Sequence, residues 1–138
     1  MKKLILLFTV VTFAFTSCSS DDDSSSSDPL IGIWTWHQSF FNGVEQTLDD
    51  CDRMDTVTIN ANGTLTERYF FEIDGVCEPD GTDAATWQNL GNNLYRIIYG
   101  AGTSEEEILE QTIMFQGNTV YIEETDGSDS FRIVYKKN

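Results

Sequence analysis

Basic side chains are scarce in this sequence. Eight lysines and arginines stand against 23 acidic residues in 138, for a formal net charge of −15. Binding to nucleic acid needs clustered Lys and Arg to neutralise phosphates, so no nucleic-acid partner is expected. Histidine occurs once, at His37, and proline twice. No Gly-rich phosphate loop follows a strand and opens a helix, and no motif places a base beside a serine or cysteine nucleophile. These absences argue against nucleotide chemistry and nucleophilic catalysis, so the chain reads as a non-enzyme without a cofactor. The one long apolar run, at the start of the chain, covers about 14 residues, short of the ~20 that a membrane-crossing helix needs.

What is present begins with that run. Lys2 and Lys3 precede an apolar stretch from Leu4 to Ala14, followed by Phe15-Thr16-Ser17-Cys18. A cationic start, a short greasy segment and a small residue describe a secretory signal that is removed. Phe15 to Cys18 resembles the lipobox of bacterial lipoproteins, with Phe15 where leucine is usual. The resemblance implies a signal peptide over 1–17 and acylation of Cys18, which becomes the new N-terminus. One acyl chain anchors only marginally, so stable attachment requires a multiply acylated cysteine. The alternative is a plain secretory signal with an incidental cysteine. Residues 18–28 are almost entirely Ser and Asp, which cannot bury a core and read as a disordered tether. Ser20-Asp21-Asp22-Asp23 resembles the acidic export signal of surface lipoproteins in certain Gram-negative bacteria. It implies an outer-membrane lipoprotein exposed at the cell surface, as opposed to one kept on the periplasmic face.

Removing residues 1–17 takes both N-terminal lysines with it and leaves a net charge of about −17, which favours solubility and self-repulsion without defining a site. About 110 residues follow the tether, enough for one domain with one core. With Cys18 taken by lipid, Cys51 and Cys77 remain as an even pair in an oxidising compartment. A bridge between them would stabilise by about 3.5 kcal/mol on the loop-entropy model. Zinc is the alternative, but two cysteines and a distant His37 make a poor ligand set. The acidic stretch Asp49, Asp50, Asp52 and Asp55 carries oxygen ligands suited to calcium, yet lacks a calcium-loop spacing and its glycine. It reads as a solvated loop, and no metal is expected.

From residue 29 onward, short β-rich runs recur about every ten residues with turn residues between them. Eight strands are predicted: Ile33 to Phe41, Asp55 to Asn60, Thr64 to Ile73, Ala84 to Leu90, Leu94 to Tyr99, Glu107 to Phe115, Thr119 to Glu124 and Ser130 to Lys136. Asp74 to Asp83, with Cys77, Pro79 and Gly81, reads as a loop pinned by the disulfide. An even number of sequential hairpins closes into an eight-stranded antiparallel up-and-down barrel, whose interior is filled by side chains or holds one small ligand. A β-sandwich is the runner-up.

The order of motifs resembles the lipocalin-like domain of small bacterial lipoproteins. Leu30-Ile31-Gly32-Ile33-Trp34 opens the first strand as the Gly-x-Trp signature of lipocalins does. Cys51, Asn62-Gly63-Thr64, Cys77, Thr86-Trp87 and Gly91-Asn92-Asn93-Leu94 then follow in that family's order, so that the resemblance covers residues 29–138. It implies that Gly32 lets the chain pass close under the barrel and that Trp34 plugs its closed end. A last-strand arginine packs across that tryptophan in lipocalins, and Arg132 is the arginine available for the role.

His37 alternates with Thr35 and Ser39, opposite Trp34, Trp36 and Phe40, and is expected to face solvent or the rim. The aromatic content exceeds what one small core requires. Core filling is the default explanation; a ligand cavity is the sharper one, lined by Trp36, Tyr69, Phe71, Trp87 and Tyr95. The expected function is therefore a membrane-anchored lipocalin-like barrel that binds a small apolar or amphipathic ligand. The alternative is a non-enzymatic accessory module, its barrel filled, whose outer face contacts a surface protein or glycan.

Overall fold

The computed structural model describes residues 27–138. The signal segment, Cys18 and most of the Ser/Asp tether lie outside the described residues. The strands are β1 (Gly32–Phe41), β2 (Val44–Gln46), β3 (Thr56–Ile59), β4 (Thr64–Ile73), β5 (Val76–Gly91), β6 (Leu94–Tyr99), β7 (Glu107–Gln116), β8 (Thr119–Asp126) and β9 (Asp129–Lys137), with one 3-10 turn at Asp52–Met54. All pair antiparallel in the order β2-β1-β3-β4-β5-β6-β7-β8-β9, and β1 also pairs with β9. That last pairing closes a barrel of eight strands, which sets aside the sandwich. The short β2 lies outside the ring, as a flap on the second half of β1.

Turn chemistry explains the meander. Asn42-Gly43 (φ 49° and 77°), Asp74-Gly75 (51° and 79°) and Asn92-Asn93 (53° and 62°) place both central residues in the left-handed region. Such turns match the right-handed twist of the strands they join, and Asn, Asp and Gly are the residues that tolerate them.

Three differences from the sequence reading have physical causes. Asp74–Asp83 is not a loop: Val76 to Ala84 forms the first half of the 16-residue strand β5. β5 meets β6 only from Ala85 onward, so this half is an edge with β4 as its one partner. Pro79 is tolerated there, beside a bulge between Tyr69 and Phe70, because an edge strand needs fewer N–H donors. A second bulge, between Trp36 and Gln38, reverses the inward face of β1. Phe40 therefore does not share a face with Trp34 and Trp36. It pairs with Arg132 on the outside, while Phe41 stacks with Phe131 at 5.0 Å between ring centroids.

The third difference lies at the closed end. Trp34, 3% exposed, donates from Nε1 to the Leu30 carbonyl at 2.7 Å and plugs the base with Leu30. Arg132 does not cover it. Arg132 lies over the Tyr121 ring on the outer wall and pairs with Glu123 at 2.9 Å. The cation on Trp34 is Lys137, whose Nζ sits 5.1 Å from the ring centroid and donates to the Pro29 carbonyl at 3.1 Å. Register decides this: Lys137 is the residue of β9 directly opposite Trp34. Asp28, placed in the tether by its composition, instead ties the chain to the barrel. Its Oδ1 accepts from the Leu30 N–H (2.9 Å) and the Tyr95 hydroxyl (3.1 Å), and its Oδ2 accepts from Asn89 (2.6 Å).

Gly32 has φ 147°, and a Cβ there would lie 2.6 Å from Lys137 Cε. Gly32→Ala should cost about 1–3 kcal/mol in chemical denaturation, from backbone strain and displacement of the lysine. In a Lys137→Ala background the cost should shrink, because only the backbone part remains. Equal costs in the two backgrounds would show that the lysine contact is immaterial.

Candidate functional site

The barrel interior changes character along its axis. Toward the closed end it is apolar and nearly filled. Leu30, Trp34, Leu65, Trp87, Tyr95 and Val120 belong to one buried cluster. They border a cavity of about 70 Å³, room for roughly five water molecules. Ligand pockets of roughly 300–1,000 Å³ are the norm for drug-sized molecules, so this space is too small for one.

At mid-height, Glu67 and Tyr135 border this cavity and two larger ones above it. One upper chamber, about 240 Å³, is lined by Trp36, Asp55, Tyr69 and Ile133 among others. The other, about 200 Å³, is lined by Tyr99, Leu109, Gln111, Glu124 and Phe131 with Ile133. They share Ile133 as a common wall, and together they reach the lower part of the small-ligand range.

The floor of these chambers is polar. Glu67 Oε2 accepts from the Tyr69 hydroxyl at 2.5 Å and from the Tyr99 hydroxyl at 3.0 Å. Glu124 Oε1 accepts from Gln111 Nε2 at 2.9 Å, and Gln111 is only 7% exposed. Burial, reinforced by the Glu67 carboxylate, raises the pKa of both Tyr69 and Tyr99. Burial pushes Tyr135 up to about 12, with the charges of Glu67 and Asp55 adding to it. Tyr95, at the closed end, also stands at about 12, through burial and then the neighbouring Asp28.

The wall beside the first chamber is built unusually. β3 has four residues, whereas its neighbours β1 and β4 have ten each. Where β3 is missing, the segment before it stands in. The Asp55 carbonyl accepts from the Trp36 N–H of β1 (3.1 Å), and Asp55 Oδ1 accepts from the Phe70 N–H of β4 (2.8 Å). Burial raises the Asp55 pKa against the lowering effect of the Phe70 hydrogen bond, and Asp52, Asp49 and Asp80 raise it further. A disulfide between Cys51 and Cys77 fastens this segment to β5. The acidic loop spends its carboxylates on itself: Asp49 Oδ1 accepts from the Cys51 and Asp52 N–H groups, and Asp52 Oδ2 from the Asp49 N–H. Among the described residues, no group of three or more His, Cys, Asp or Glu is placed to hold a metal ion.

The five residues named from sequence as ligand contacts separate. Trp36 and Tyr69 line the first upper chamber. Trp87 and Tyr95 sit in the packed base, 6.1 Å apart between rings, with Trp87 Nε1 donating to the Asn60 carbonyl at 2.9 Å. Phe71 lines neither upper chamber and is 38% exposed on β4, because it lies in the outer half of the β4–β5 hairpin, where β5 pairs with β4 alone. His37 occupies the β1 bulge and lines neither chamber. Sequence reasoning missed Glu67, Tyr99, Phe131, Ile133 and Tyr135. The signal for Glu67 was present: the alternation Leu65, Glu67, Tyr69 puts a carboxylate on the inward face, a polar residue where a core position is expected.

The raised tyrosines set an alkaline limit. The folded state keeps Tyr95 and Tyr135 neutral where the unfolded chain ionises them near pH 10. Their contribution is therefore fully present below pH 10 and is lost as pH rises toward about 12. The denaturant midpoint should fall across that window, and Tyr135→Phe should flatten the fall. Phenolate absorbance already half developed near pH 10 for every tyrosine of the still-folded protein would contradict this.

Comparison with known proteins agrees with the architecture. A family described as a lipocalin-like domain matches residues 30–119, from the basal plug to the start of β8. No curated protein and no solved structure matches the chain. The matched segment carries the Gly32–Trp34 opening, the disulfide and six of the eight barrel strands in full, and the chain belongs to the lipocalin-like domain family.

Proposed function

We propose that this protein is a lipid-anchored binding protein of the outer membrane, displayed at the cell surface, that takes a small amphipathic ligand into the open half of its barrel. The observation that carries the reading is the pair of chambers above Glu67 and Tyr135, which have apolar walls and a polar floor. Each methylene withdrawn from water is worth about 0.8 kcal/mol, so eight or nine of them supply about 7 kcal/mol before the costs of association. Binding in the micromolar to sub-millimolar range follows. The filled-barrel alternative is the weaker reading, because the space above the waist is not occupied by side chains.

The anchor and the mouth support one another. Asp28 holds the chain start at the closed end, whereas the Phe41–Phe131 pair stands at the opposite end. A tether of ten residues reaches at most ~35 Å. A barrel held by Cys18 on that leash presents its mouth away from the membrane and samples ligand from outside. Catalysis is not part of the proposal: His37 lies outside both chambers.

Two experiments test this. 1-Decanol titrated into the full chain carrying Cys18→Ser should quench tryptophan fluorescence through Trp36. Ile133→Trp, which fills the shared wall, should weaken binding at least tenfold, whereas Trp87→Phe in the packed base should alter Kd by no more than about twofold. Undiminished binding by Ile133→Trp would place the ligand outside these chambers, and no binding of the alcohol by the native barrel would refute the reading. In cells, Cys18→Ser should move the protein from the membrane to the soluble fraction, and the native protein should be cleaved when intact cells are treated with protease. Protection of the native protein from such treatment refutes surface display.

A further inference from the structure

The chambers differ from a general apolar pocket in the sign of their polar groups, and this deepens the proposed binding role by naming the ligand's head group. Three carboxylates line them: Asp55 on one side, Glu124 on the other, and Glu67 at the floor of both. Among the described residues the ion pairs are Arg96–Glu110 and Arg132–Glu123, so none of the three carboxylates has a cationic partner. Arg68 is the one base at either chamber, and its guanidinium is stacked 4.8 Å from the Phe70 ring centroid.

Hydrogen bonding leaves Glu67 incomplete as an acceptor. Both tyrosine hydroxyls donate to Oε2, and Oε1 takes no hydrogen bond from the described residues. A carboxylate has about four acceptor positions, so Glu67 retains capacity for an incoming donor. Around it stand aromatic rings: Trp36, Tyr69 and Tyr135 in one chamber, Tyr99, Phe131 and Tyr135 in the other. Ring faces attract organic cations, most of all when a carboxylate stands beside them in a site withdrawn from water. The same surroundings disfavour an anionic head, which meets three carboxylates against the single guanidinium of Arg68, itself turned onto the Phe70 ring. The net charge of −15 acts in the same direction over a longer range.

We infer that the barrel binds an organic cation with an apolar tail, a protonated or quaternary amine whose charged end rests at Glu67 and whose tail is enclosed by the walls around Ile133. This rests on the ligand-binding reading above. The carboxylate gives the head group its specificity, and the apolar walls supply most of the affinity.

Three probes with ten-carbon chains separate the possibilities: decyltrimethylammonium, 1-decanol and decanoate, each below its aggregation concentration, titrated into the full chain carrying Cys18→Ser. The ammonium should bind at least tenfold tighter than the alcohol, and decanoate weakest of the three. The ratio of ammonium to alcohol affinity should fall with added salt, and about tenfold in Glu67→Gln. Should that variant not fold, Glu124→Gln is expected to lower the ratio in the same direction, and the ranking of the three probes on the native barrel stands by itself. Equal binding of the ammonium and the alcohol, or decanoate as the tightest, overturns the cation specificity while leaving a ligand-binding barrel. Failure of all three probes overturns that reading and this one together.

Discussion

β1 carries the closure of the barrel, and it does so with different partners along its length. Its first residues, Gly32 to Thr35, pair with β3, and from Trp34 to Phe41 it pairs with β9. The overlap of these two ladders at Trp34 and Thr35 is where the sheet becomes a ring, and the plug is built at that point. Trp34 is opposite Lys137 in register and hydrogen-bonded to Leu30, and Gly32 leaves the space that Lys137 occupies. A closed sheet has few edges to protect along its main strands; free edges lie at the β2 flap, in the outer half of the β4–β5 hairpin, and where β7 and β8 part beyond the Ile113–Ile122 pair. Everything above the plug is freed from sealing the barrel, and the chain can place polar groups there.

Much of this architecture is written in alternation and turn residues. The barrel strands, except for the first half of β5, fall where period-two patterning predicts them, because each hairpin is marked by Asn-Gly, Asp-Gly, Gly-Asn or a similar pair. What patterning cannot carry is parity after a bulge. The single-residue irregularity at His37 decides whether Phe40 and Phe41 point inward and leaves no mark in composition, while Phe71 falls on a stretch of β4 whose partner β5 pairs with nothing else. The misplacement of Arg132 has a related origin. Arg132 is the arginine of the last strand, but the residue that meets Trp34 is set by the β1–β9 register, which a single strand does not encode. The candidate site was legible in half: Trp36 and Tyr69 follow from alternation, whereas the convergence of Glu67, Tyr99 and Tyr135 needs three strands brought together across the lumen.

The polarity gradient inside the barrel follows from what each end must do. At the base, a buried polar atom is tolerated only with a partner, and Trp34, Trp87 and Tyr95 each direct their one polar group to a carbonyl or to Asp28. At mid-height the tyrosine hydroxyls are directed at Glu67, which organises the floor. Above it the chambers are bordered by Ile133 and aromatic rings, with Asp55 on one side and Glu124 on the other, so apolar walls and carboxylates alternate around the lumen.

An open upper half has a cost in stability, since each large apolar side chain that does not fill it forgoes about 1.5–3 kcal/mol of burial. The Cys51–Cys77 bridge lies in this same half. By the loop-entropy argument it contributes about 3.5 kcal/mol, comparable to one or two missing core residues. Its position matters as much as its size. β3 ends early, so the wall between β1 and β4 depends on an irregular segment held by two hydrogen bonds to Asp55. Irregular backbone with few ladder bonds is where local opening begins. The covalent link from Cys51 to β5 stops that segment from leaving the wall and lets the space beside it stay unfilled. A hydrophobic plug here would have closed the lumen; the disulfide stabilises the wall without occupying it.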